Sequence, residues 1–297
     1  MKVGIIIAGV LPAGVKQIIH KMFNELAPCH QLFGIEVKKE TGAADYLEFI
    51  VNNDSPYLSE SVLKPSTLSV NVRWEEICAP MDSIIFIGDA QAKEQWQKSL
   101  VRSGKIHSLY VPVSIYNDIE GSDWSLGYDT AINSITQMIL KVKDTIHSLK
   151  YEKPRLFGFS IKGSPSPSIN MLEDISMAVD GHFIANPFER EEGELLSNKI
   201  DGSFNHVHTS SVLVYSHTNR ERVKEHLINY LNVDWTYTEI DEALCMGTNP
   251  TTIDRILANE IAETIVLWLN NHHPTGEITV KKDGVLYQNK KYEGMII

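Results

Sequence analysis

The fold is constrained most strongly by a repeated pattern in which a continuous apolar run is followed by a turn and then by a stretch with helical spacing. Residues 3–9 form the first apolar run, and residues 15–26 then place apolar side chains three and four positions apart. Continuous apolar runs are typical of strands that are buried on both faces. The pattern therefore predicts an α/β protein with mainly parallel sheets that helices cover on both faces.

The same pattern recurs, and it predicts a second, smaller α/β unit in the later half of the chain. Further strands are predicted at residues 83–89, 109–113, 155–160, 182–185 and 211–215. Further helices are predicted at residues 90–100, 131–146, 172–179, 219–231 and 253–269. The Asp283-Gly284 pair separates two short apolar runs and predicts a β-hairpin of residues 277–280 and 285–287.

The composition argues against several kinds of partner. A net charge of −11 over 297 residues is opposite to the basic surface that binds nucleic acid, so no nucleic-acid partner is expected. No apolar run approaches the roughly 20 residues that cross a membrane, and we interpret the first run as a buried strand rather than a signal peptide. Three cysteines without Cys-x-x-Cys spacing favour reduced thiols and a cytoplasmic location.

Three turns follow predicted strands, after Ala8, Ile87 and Val113, and we expect their side chains to converge. Ligands of open parallel sheets collect outside the carboxyl ends of the strands. The first turn contains Gly9 ahead of a helix, where backbone N–H groups and the helix dipole attract anions. A plain tight turn is the alternative interpretation of Gly9.

The second turn carries Gly88 and Asp89. An aspartate at this place has two interpretations, a ligand for a metal or phosphate group and the N-cap of the helix that follows. The residues themselves leave both open.

The third turn opens a longer motif, Pro112-Val-Ser-Ile-Tyr-Asn-Asp-Ile-Glu-Gly-Ser-Asp-Trp-Ser-Leu-Gly-Tyr-Asp-Thr-Ala131. It resembles the reaction-centre signature of the phosphofructokinases, Pro-x-Thr-Ile-Asp-Asn-Asp-Ile-x-Gly-Thr-Asp-x-Thr-x-Gly-Phe-x-Thr-Ala. Tyr116 stands where the family has the aspartate that takes the proton from the attacking sugar hydroxyl. The resemblance implies that Asp118 supports substrate and metal placement and that Ser114 and Asn117 contact the substrate.

Other segments carry the resemblance more weakly. Gly9 matches the family's first glycine turn, and Gly88-Asp89 resembles Gly-Gly-Asp-Gly, whose aspartate holds magnesium against the nucleotide phosphates. Arg73 matches an arginine that steadies the transferring phosphoryl group, with an ion-paired surface arginine as the alternative. Arg255 matches an arginine that grips the phosphate of fructose 6-phosphate.

The departures from the family pattern cluster in the site. Besides Tyr116, Met246 replaces an arginine, Phe188 replaces a glutamate and Ile87 replaces a glycine, while Lys162 is the only cation where a Met-Gly-Arg element is expected. A tyrosine is mostly protonated at neutral pH and is a poor general base. These changes favour either an altered substrate or mechanism or the loss of catalysis.

The resemblance implies two Rossmann-like three-layer domains: a larger one of nucleotide-binding type from residues 1–127 plus 254–297, and a smaller one of substrate-binding type from residues 128–253. It implies a phosphofructokinase-like phosphotransferase that acts on a phosphorylated sugar or related hydroxyl. The alternative is an inactive homologue that binds a sugar phosphate or nucleotide as a sensor or partner subunit.

The same resemblance implies Mg²⁺, ATP or another nucleotide, and a homo-oligomer. Diphosphate is disfavoured as the phosphoryl donor, because Val113 and Ala90 replace residues that are typical of diphosphate-using relatives. We expect Asp118 and Arg255 to share one anion-accepting pocket.

Overall fold

The computed structural model describes residues 1–38, 40–49, 66, 72–103, 106–147, 151–163, 167–184, 190–204, 209–241, 243–244 and 249–290. The chain divides into two compact units. Unit 1 comprises Met1–Asp129 with Thr248–Ile297, and unit 2 comprises Thr130–Gly247. The assignment of the predicted domains to nucleotide and substrate binding stays a prediction.

The strands of the described residues are β1 Lys2–Ala8, β2 Gln31–Val37, β3 Ala44–Glu48, β4 Ser83–Gly88, β5 His107–Pro112, β6 Arg155–Ile161, β7 His182–Ile184, β8 Ser210–Ser216, β9 Asp234–Ile240, β10 Gly276–Lys281 and β11 Gly284–Asn289. The α-helices are α1 Val15–Leu26, α2 Trp74–Cys78, α3 Ala90–Ser103, α4 Tyr128–His147, α5 Ile169–Ala178, α6 Arg190–Ser203, α7 Arg220–Tyr230 and α8 Thr252–Asn270.

Unit 1 is built on a sheet with the strand order β11-β10-β5-β4-β1-β2-β3. The strands from β10 to β2 run parallel, and the two edge strands, β11 and β3, are antiparallel to their neighbours. Ala8 pairs with Gly88 and Gly88 pairs with Pro112, so β1, β4 and β5 end in one row. This row brings the three predicted turns to the same edge of the sheet.

Helices cover the sheet of unit 1 on both faces. Ile5 and Ile7 of β1 pack in one apolar cluster with α1 and α8, whereas Ile6 and Ala8 pack in a second cluster with α2 and α3. Successive side chains of a strand point to opposite faces, so a strand between two helical layers must be apolar throughout. The continuous run in β1 has this cause, and the predicted α/β class is confirmed.

Unit 2 contains a second sheet with the order β7-β8-β6-β9, and all of its strands are parallel. Leu156 of β6 and Leu213 of β8 pack against α6 and α7 through Ile200 and Leu227. The carboxyl ends of β6, β8 and β9 also lie in one row, because Ile161 pairs with both Ser216 and Ile240.

The sequence pattern does not predict β2, β3, β9, α2 and α6. β3 and β9 lie at sheet edges and are largely exposed, so neither carries a continuous apolar run. α2 is only five residues long. Several predicted ends are also wrong: α4 begins at Tyr128 rather than at residue 131, and α5 begins at Ile169 rather than at residue 172.

Across the described residues, no helix combines the length and the apolar character that crossing a membrane requires.

Candidate functional site

The carboxylate of Asp89 lies against Gly9 at the carboxyl edge of the unit 1 sheet. Gly9 has φ +84°, in the left-handed region that favours glycine, and a Cβ atom at this position would overlap the Asp89 carboxylate. Two of the three turns that were predicted to converge, those after β1 and β4, therefore lie together, because these strands are parallel neighbours that end in one row.

Asp89 begins the helix that follows it. Its Oδ1 accepts a hydrogen bond from the backbone N–H of Ala92 at 2.9 Å, which is the N-cap arrangement. The capping interpretation is the one the structure shows. The other carboxylate oxygen, Oδ2, is the atom that a Cβ placed on Gly9 would meet first. Metal binding through this oxygen stays a prediction.

Tyr110 of β5 forms hydrogen bonds with the backbone of this turn. Its hydroxyl donates to the carbonyl oxygens of Gly88 at 2.8 Å and Asp89 at 2.9 Å, and its side chain is fully buried. Burial raises the pKa of Tyr110 well above its usual value, and the nearby carboxylates of Asp89, Asp118 and Glu277 raise it further. Both carboxylates, Asp89 and Asp118, therefore act electrostatically on this buried hydroxyl.

Asp118 is held in a closed turn just beyond β5. The Ser114 hydroxyl donates to Asp118 Oδ1 at 2.6 Å, and Ser114 Oγ accepts from the backbone N–H of Tyr116 at 3.1 Å. Ser114 is buried; its hydrogen bond with the Tyr116 N–H forms away from water, and the one with Asp118 is partly buried. The turn fixes one oxygen of Asp118, and its side chain remains partly accessible.

Tyr116 is buried, with 3% of its surface exposed. Asn117 beside it has φ +53°, and its Nδ2 donates to the carbonyl oxygen of Asp123 at 3.1 Å. Within the described residues, the buried Oδ1 of Asn117 has no hydrogen-bond partner. The position of the family's proton acceptor therefore holds an enclosed aromatic ring.

Asp254 binds the C-terminal end of this loop, at Gly127. This role was not assigned from the sequence. Its side chain is buried, and Oδ1 accepts from the backbone N–H of Gly127 at 2.9 Å. Asp254 lies in the first turn of α8, where Thr251 Oγ1 accepts from its backbone N–H. Asp254 directly precedes Arg255 in the segment that resembles the family, and this position was the sequence signal that could have identified its role.

The hairpin between β10 and β11 fastens the middle of the loop. Asp123 donates its backbone N–H to Val280 at 2.7 Å, and its carboxylate accepts from Lys282 N–H at 3.1 Å and Lys281 Nζ at 3.2 Å. The Lys282 and Lys281 hydrogen bonds lower the pKa of Asp123. The hairpin tip is therefore docked on the loop.

Residues 78–269, well over half of the chain, match the sequence model of a family described as Phosphofructokinase. The chain belongs to the phosphofructokinase family. The matched range includes the loop of residues 112–131 and most of α8, so the motifs that suggested the family lie within it.

Curated relatives share this family. The ATP-dependent 6-phosphofructokinase of Macrococcus caseolyticus is 27% identical over 168 residues, which is 56% of this chain and 50% of that protein. The ATP-dependent 6-phosphofructokinase of Staphylococcus carnosus is 24% identical over 183 residues, 61% of this chain and 55% of that protein. The matched part therefore spans about half the length of these relatives.

Solved structures of phosphofructokinases show the same fold. The pyrophosphate-dependent phosphofructokinase of Marinobacter aquaeolei superposes with a TM-score of 0.75 at 12% identity, covering 97% of this chain and 81% of that one. The T-state phosphofructokinase of Pichia pastoris gives 0.70 at 13% identity, with 97% and 36% covered. At such identity the likeness concerns the fold.

The two arginines assigned from the family pattern are exposed. Arg73 forms an ion pair with Glu76 at 3.0 Å, which is the surface alternative raised for this residue. Arg255 donates from Nε to the carbonyl oxygen of Pro250 at 3.1 Å. Among the described residues, Arg255 and Asp118 share neither a hydrogen bond nor an ion pair, and their common pocket stays a prediction. Met246 and Phe188 lie outside the described residues.

Among the described residues, the side chains that could bind magnesium are carboxylates from different turns, and they do not form a cluster of ligands. No cluster of three or more His, Cys, Asp or Glu side chains suited to a metal ion occurs in the described part of the chain. Mg²⁺ is commonly held by one or two carboxylates together with substrate phosphates and water. Asp89 follows β4 and Asp118 lies beyond the neighbouring β5, so two carboxylates at one edge of the sheet fit that mode of binding.

A cavity of about 370 Å³ opens elsewhere on unit 1, among Trp124, Ile253, Ile256, Val280 and neighbouring residues. Its lining within the described residues includes neither Asp89, Asp118 nor Arg255. The cavity therefore borders the later part of the 112–131 motif, through Trp124, Ser125 and Asp129, and does not reach Asp89 or Asp118.

Proposed function

We propose that the chain is a phosphofructokinase-like phosphotransferase that acts on a phosphorylated sugar or a related hydroxyl acceptor, with an altered substrate or mechanism. The observation that carries the proposal is the gathering of Gly9, Asp89 and Asp118 at one carboxyl edge of the unit 1 sheet, where β1, β4 and β5 end in one row. Phosphoryl transfer depends mainly on positioning and charge neutralisation, which such an arrangement supports.

In this proposal the turns carrying Gly9 and Gly88 receive the nucleotide phosphates. Asp89 would hold Mg²⁺, which neutralises phosphate charge when it is bound. Ser114, Asn117 and Arg255 would contact the acceptor, and unit 1 and unit 2 would be the nucleotide-binding and substrate-binding units. A homo-oligomer in the cytoplasm belongs to the same proposal, and sedimentation of the purified protein tests the oligomer.

Asp118 is the carboxylate proposed to accept the proton of the attacking hydroxyl. Tyr116 is buried and is a poor general base, whereas Asp118 is partly accessible and only its Oδ1 is engaged by Ser114. A proton acceptor is worth about 10²- to 10⁴-fold in rate, so an imperfectly placed one gives a slow enzyme.

A non-catalytic ligand-binding role is the second candidate. The buried Tyr116 ring and the internal Ser114–Asp118 hydrogen bond favour it, because both engage groups that the reaction would need. A protein with this role would bind a sugar phosphate or nucleotide as a sensor or a partner subunit.

Ligand-induced stabilisation tests binding first. Nucleotides, diphosphate and hexose phosphates, each with Mg²⁺, would be screened for an increase in melting temperature, since a ligand that binds the folded state stabilises it by mass action. Product formation in the stabilised mixtures then separates the phosphotransferase from the binder. Absence of stabilisation by every phosphate ligand contradicts both candidates.

Tyr116→Asp and Asp118→Asn test the assignment of the proton acceptor. With a nucleotide and the hexose phosphate that stabilises the protein, we expect Tyr116→Asp to raise turnover by up to about 10²-fold and Asp118→Asn to lower it by about 10²-fold or more. Asp201→Asn, an exposed carboxylate on unit 2, is the matched control. Unchanged turnover in both variants would show that neither position takes the proton.

A further inference from the structure

The cavity of about 370 Å³ on unit 1 lies between segments that are distant in sequence. Its lining combines the loop around Trp124, the first turns of α8 and the tip of the β10–β11 hairpin. Lys282 N–H of the hairpin tip donates to the Asp123 carboxylate of the loop, and Asp254 of α8 accepts from Gly127 N–H at the end of the loop. The walls of the cavity are therefore joined by hydrogen bonds, and the cavity is built into the folded unit.

Apolar side chains remain accessible in this cavity. Trp124 is 44% exposed, and Ile253 and Ile256, which lie three positions apart on one face of α8, are also exposed. The Trp124 ring contacts the Tyr128 ring with 5.8 Å between centroids, so the protein supports its position. Binding cavities for small molecules usually have volumes of about 300–1,000 Å³ and a mainly apolar lining with a few polar groups. The size and the lining are those of a small-molecule site.

Ser125 provides a polar group for which the protein supplies no partner. Ser125 lines the cavity, and only 2% of its surface is exposed. Within the residues that the structure describes, its buried Oγ has no hydrogen-bond partner. A buried hydroxyl without a partner carries a desolvation penalty, and folded proteins seldom contain one. An N–H or O–H group of a ligand in the cavity would satisfy this oxygen.

The charges of the cavity favour a cation. The described lining contains four carboxylates and two lysines: Asp129, Asp254, Glu260, Asp283, Lys281 and Lys282. Lys281 already forms an ion pair with Asp123, which lies outside the lining. The face of an indole ring also attracts cations, because the ring quadrupole is negative there. An ammonium group is therefore attracted by the carboxylates and by the ring, whereas a phosphate or carboxylate group is repelled.

We propose that this cavity binds a small organic ammonium ion whose apolar part packs on Trp124 and whose N–H or O–H group donates to Ser125 Oγ. Glu260 lies on the same face of α8 as Ile253 and Ile256 and would balance the charge of the ligand. Neither a phosphate ligand nor a metal ion takes part. The proposal therefore goes beyond the phosphotransferase function and does not depend on it.

Tyramine, an aromatic ammonium ion with one hydroxyl group, tests the site by calorimetry at low ionic strength. Two uncharged or oppositely charged analogues measure the charge preference. Tyrosol, in which an alcohol replaces the ammonium group, should bind more weakly than tyramine. Hydroxyphenylpropionate, in which a carboxylate replaces it, should bind more weakly still, because like charges repel.

Glu260→Gln tests the carboxylate. The variant should weaken tyramine binding about two- to fivefold at low ionic strength, which is the range of an exposed ion pair, and should leave tyrosol binding unchanged. Glu263→Gln is the matched control, since Glu263 is an exposed glutamate of the same helix that pairs with Lys21 outside the cavity lining. Its tyramine affinity should equal that of the parent protein.

Variants of Trp124 and Ser125 test the ring and the hydroxyl. Trp124→Leu should weaken tyramine binding about two- to thirtyfold, and Trp124→Phe, which keeps an aromatic face, should restore most of the affinity. Ser125→Ala should weaken it about two- to tenfold. The melting temperature of ligand-free Ser125→Ala should equal that of the parent, because no hydrogen bond of the Oγ to the described residues is lost. A hydroxyl with a purely structural role would show the opposite pattern.

A second copy of the chain is the competing occupant of this exposed apolar face. Sedimentation and tyramine titration at several protein concentrations distinguish the two: tyramine affinity should be independent of protein concentration. Loss of tyramine binding as the chain self-associates would overturn the proposal. Equal binding of hydroxyphenylpropionate, equal weakening by Glu263→Gln, or no binding of tyramine at about 10 mM would also overturn it. Because every measurement is made without nucleotide or sugar phosphate, failure of the phosphotransferase proposal leaves the result interpretable.

Discussion

Tyr110 shows how one side chain shapes the candidate site without being part of its recognised motifs. Its buried hydroxyl donates to the carbonyl oxygens of both Gly88 and Asp89, the second of them at a partly buried position. The same two carbonyl oxygens also accept the backbone N–H groups of Val113 and Lys93, so the hydroxyl adds a further hydrogen bond to this turn. The position of the Asp89 turn therefore depends on a residue of the neighbouring strand.

Tyr110→Phe should lower the free energy of unfolding by about 0.5–1.5 kcal/mol, because the shared hydrogen bond of the hydroxyl is lost while both carbonyl oxygens keep a backbone donor. Urea unfolding followed by circular dichroism measures the change. Tyr287→Phe is a matched control: its hydroxyl makes one hydrogen bond to Pro274 at a less buried position, so a smaller effect is expected. Equal effects of the two variants would contradict the role assigned to Tyr110.

At the scale of elements, the loop of residues 112–127 is held by structures that are distant in sequence. α8 binds one end of it through Asp254, the β10–β11 hairpin binds Asp123, and α3 contributes Lys93, whose Nζ donates to the Glu120 carbonyl at 3.2 Å. A long loop pays a large entropy for order unless such contacts fix it. The place of Asp118 is therefore set by three elements.

Asp254→Ala should lower the free energy of unfolding by about 1–3 kcal/mol, since the buried N–H of Gly127 loses its charged acceptor. Thermal and urea unfolding measure the loss. Glu260→Ala, at an exposed position of the same helix, controls for the substitution itself and should have little effect. A loss no greater than that of Glu260→Ala would show that Asp254 does not fasten the loop.

Asp123→Asn should destabilise the protein at neutral pH and lose that effect in acid. The folded protein lowers the pKa of Asp123 through Lys282 N–H and Lys281, so its stabilising contribution is complete above the unfolded pKa of about 4. The contribution disappears as the pH falls through the lowered folded pKa. Melting temperatures of variant and parent should therefore converge toward pH 3, and a constant difference would contradict the charge argument.

At the scale of the whole molecule, each unit contains an imidazole that folding partly buries. Burial lowers the pKa of His30 in unit 1 and of His182 in unit 2. Unfolding exposes both imidazoles and allows them to bind protons more readily. Weak acid should thus destabilise both units before the carboxylates titrate.

His182→Gln isolates one of these groups. In the parent protein, the contribution of His182 is complete above the unfolded pKa of about 6.5 and decreases as the pH falls toward the lowered folded pKa. The variant should lose less stability than the parent between pH 7 and pH 5, measured by urea unfolding. His107→Gln, on an exposed residue of unit 1, should retain the parent's pH dependence.

The α/β class, most of the buried strands and the family follow from the sequence alone. These features follow from local patterns: strands buried between two helical layers are apolar throughout, and a loop motif of twenty residues is contiguous in the chain. Edge strands such as β9 carry no such run, because exposed side chains need not be apolar.

Which side chains meet depends on the packing of whole elements. The contacts of Tyr110 with the Asp89 turn, of Asp254 with Gly127 and of Asp123 with the β10–β11 hairpin each join residues from separate elements. Such contacts arise from strand order and register, which place distant residues in one row. A local pattern specifies an element and its buried face, but the neighbours of a polar side chain are set by the packing of whole elements.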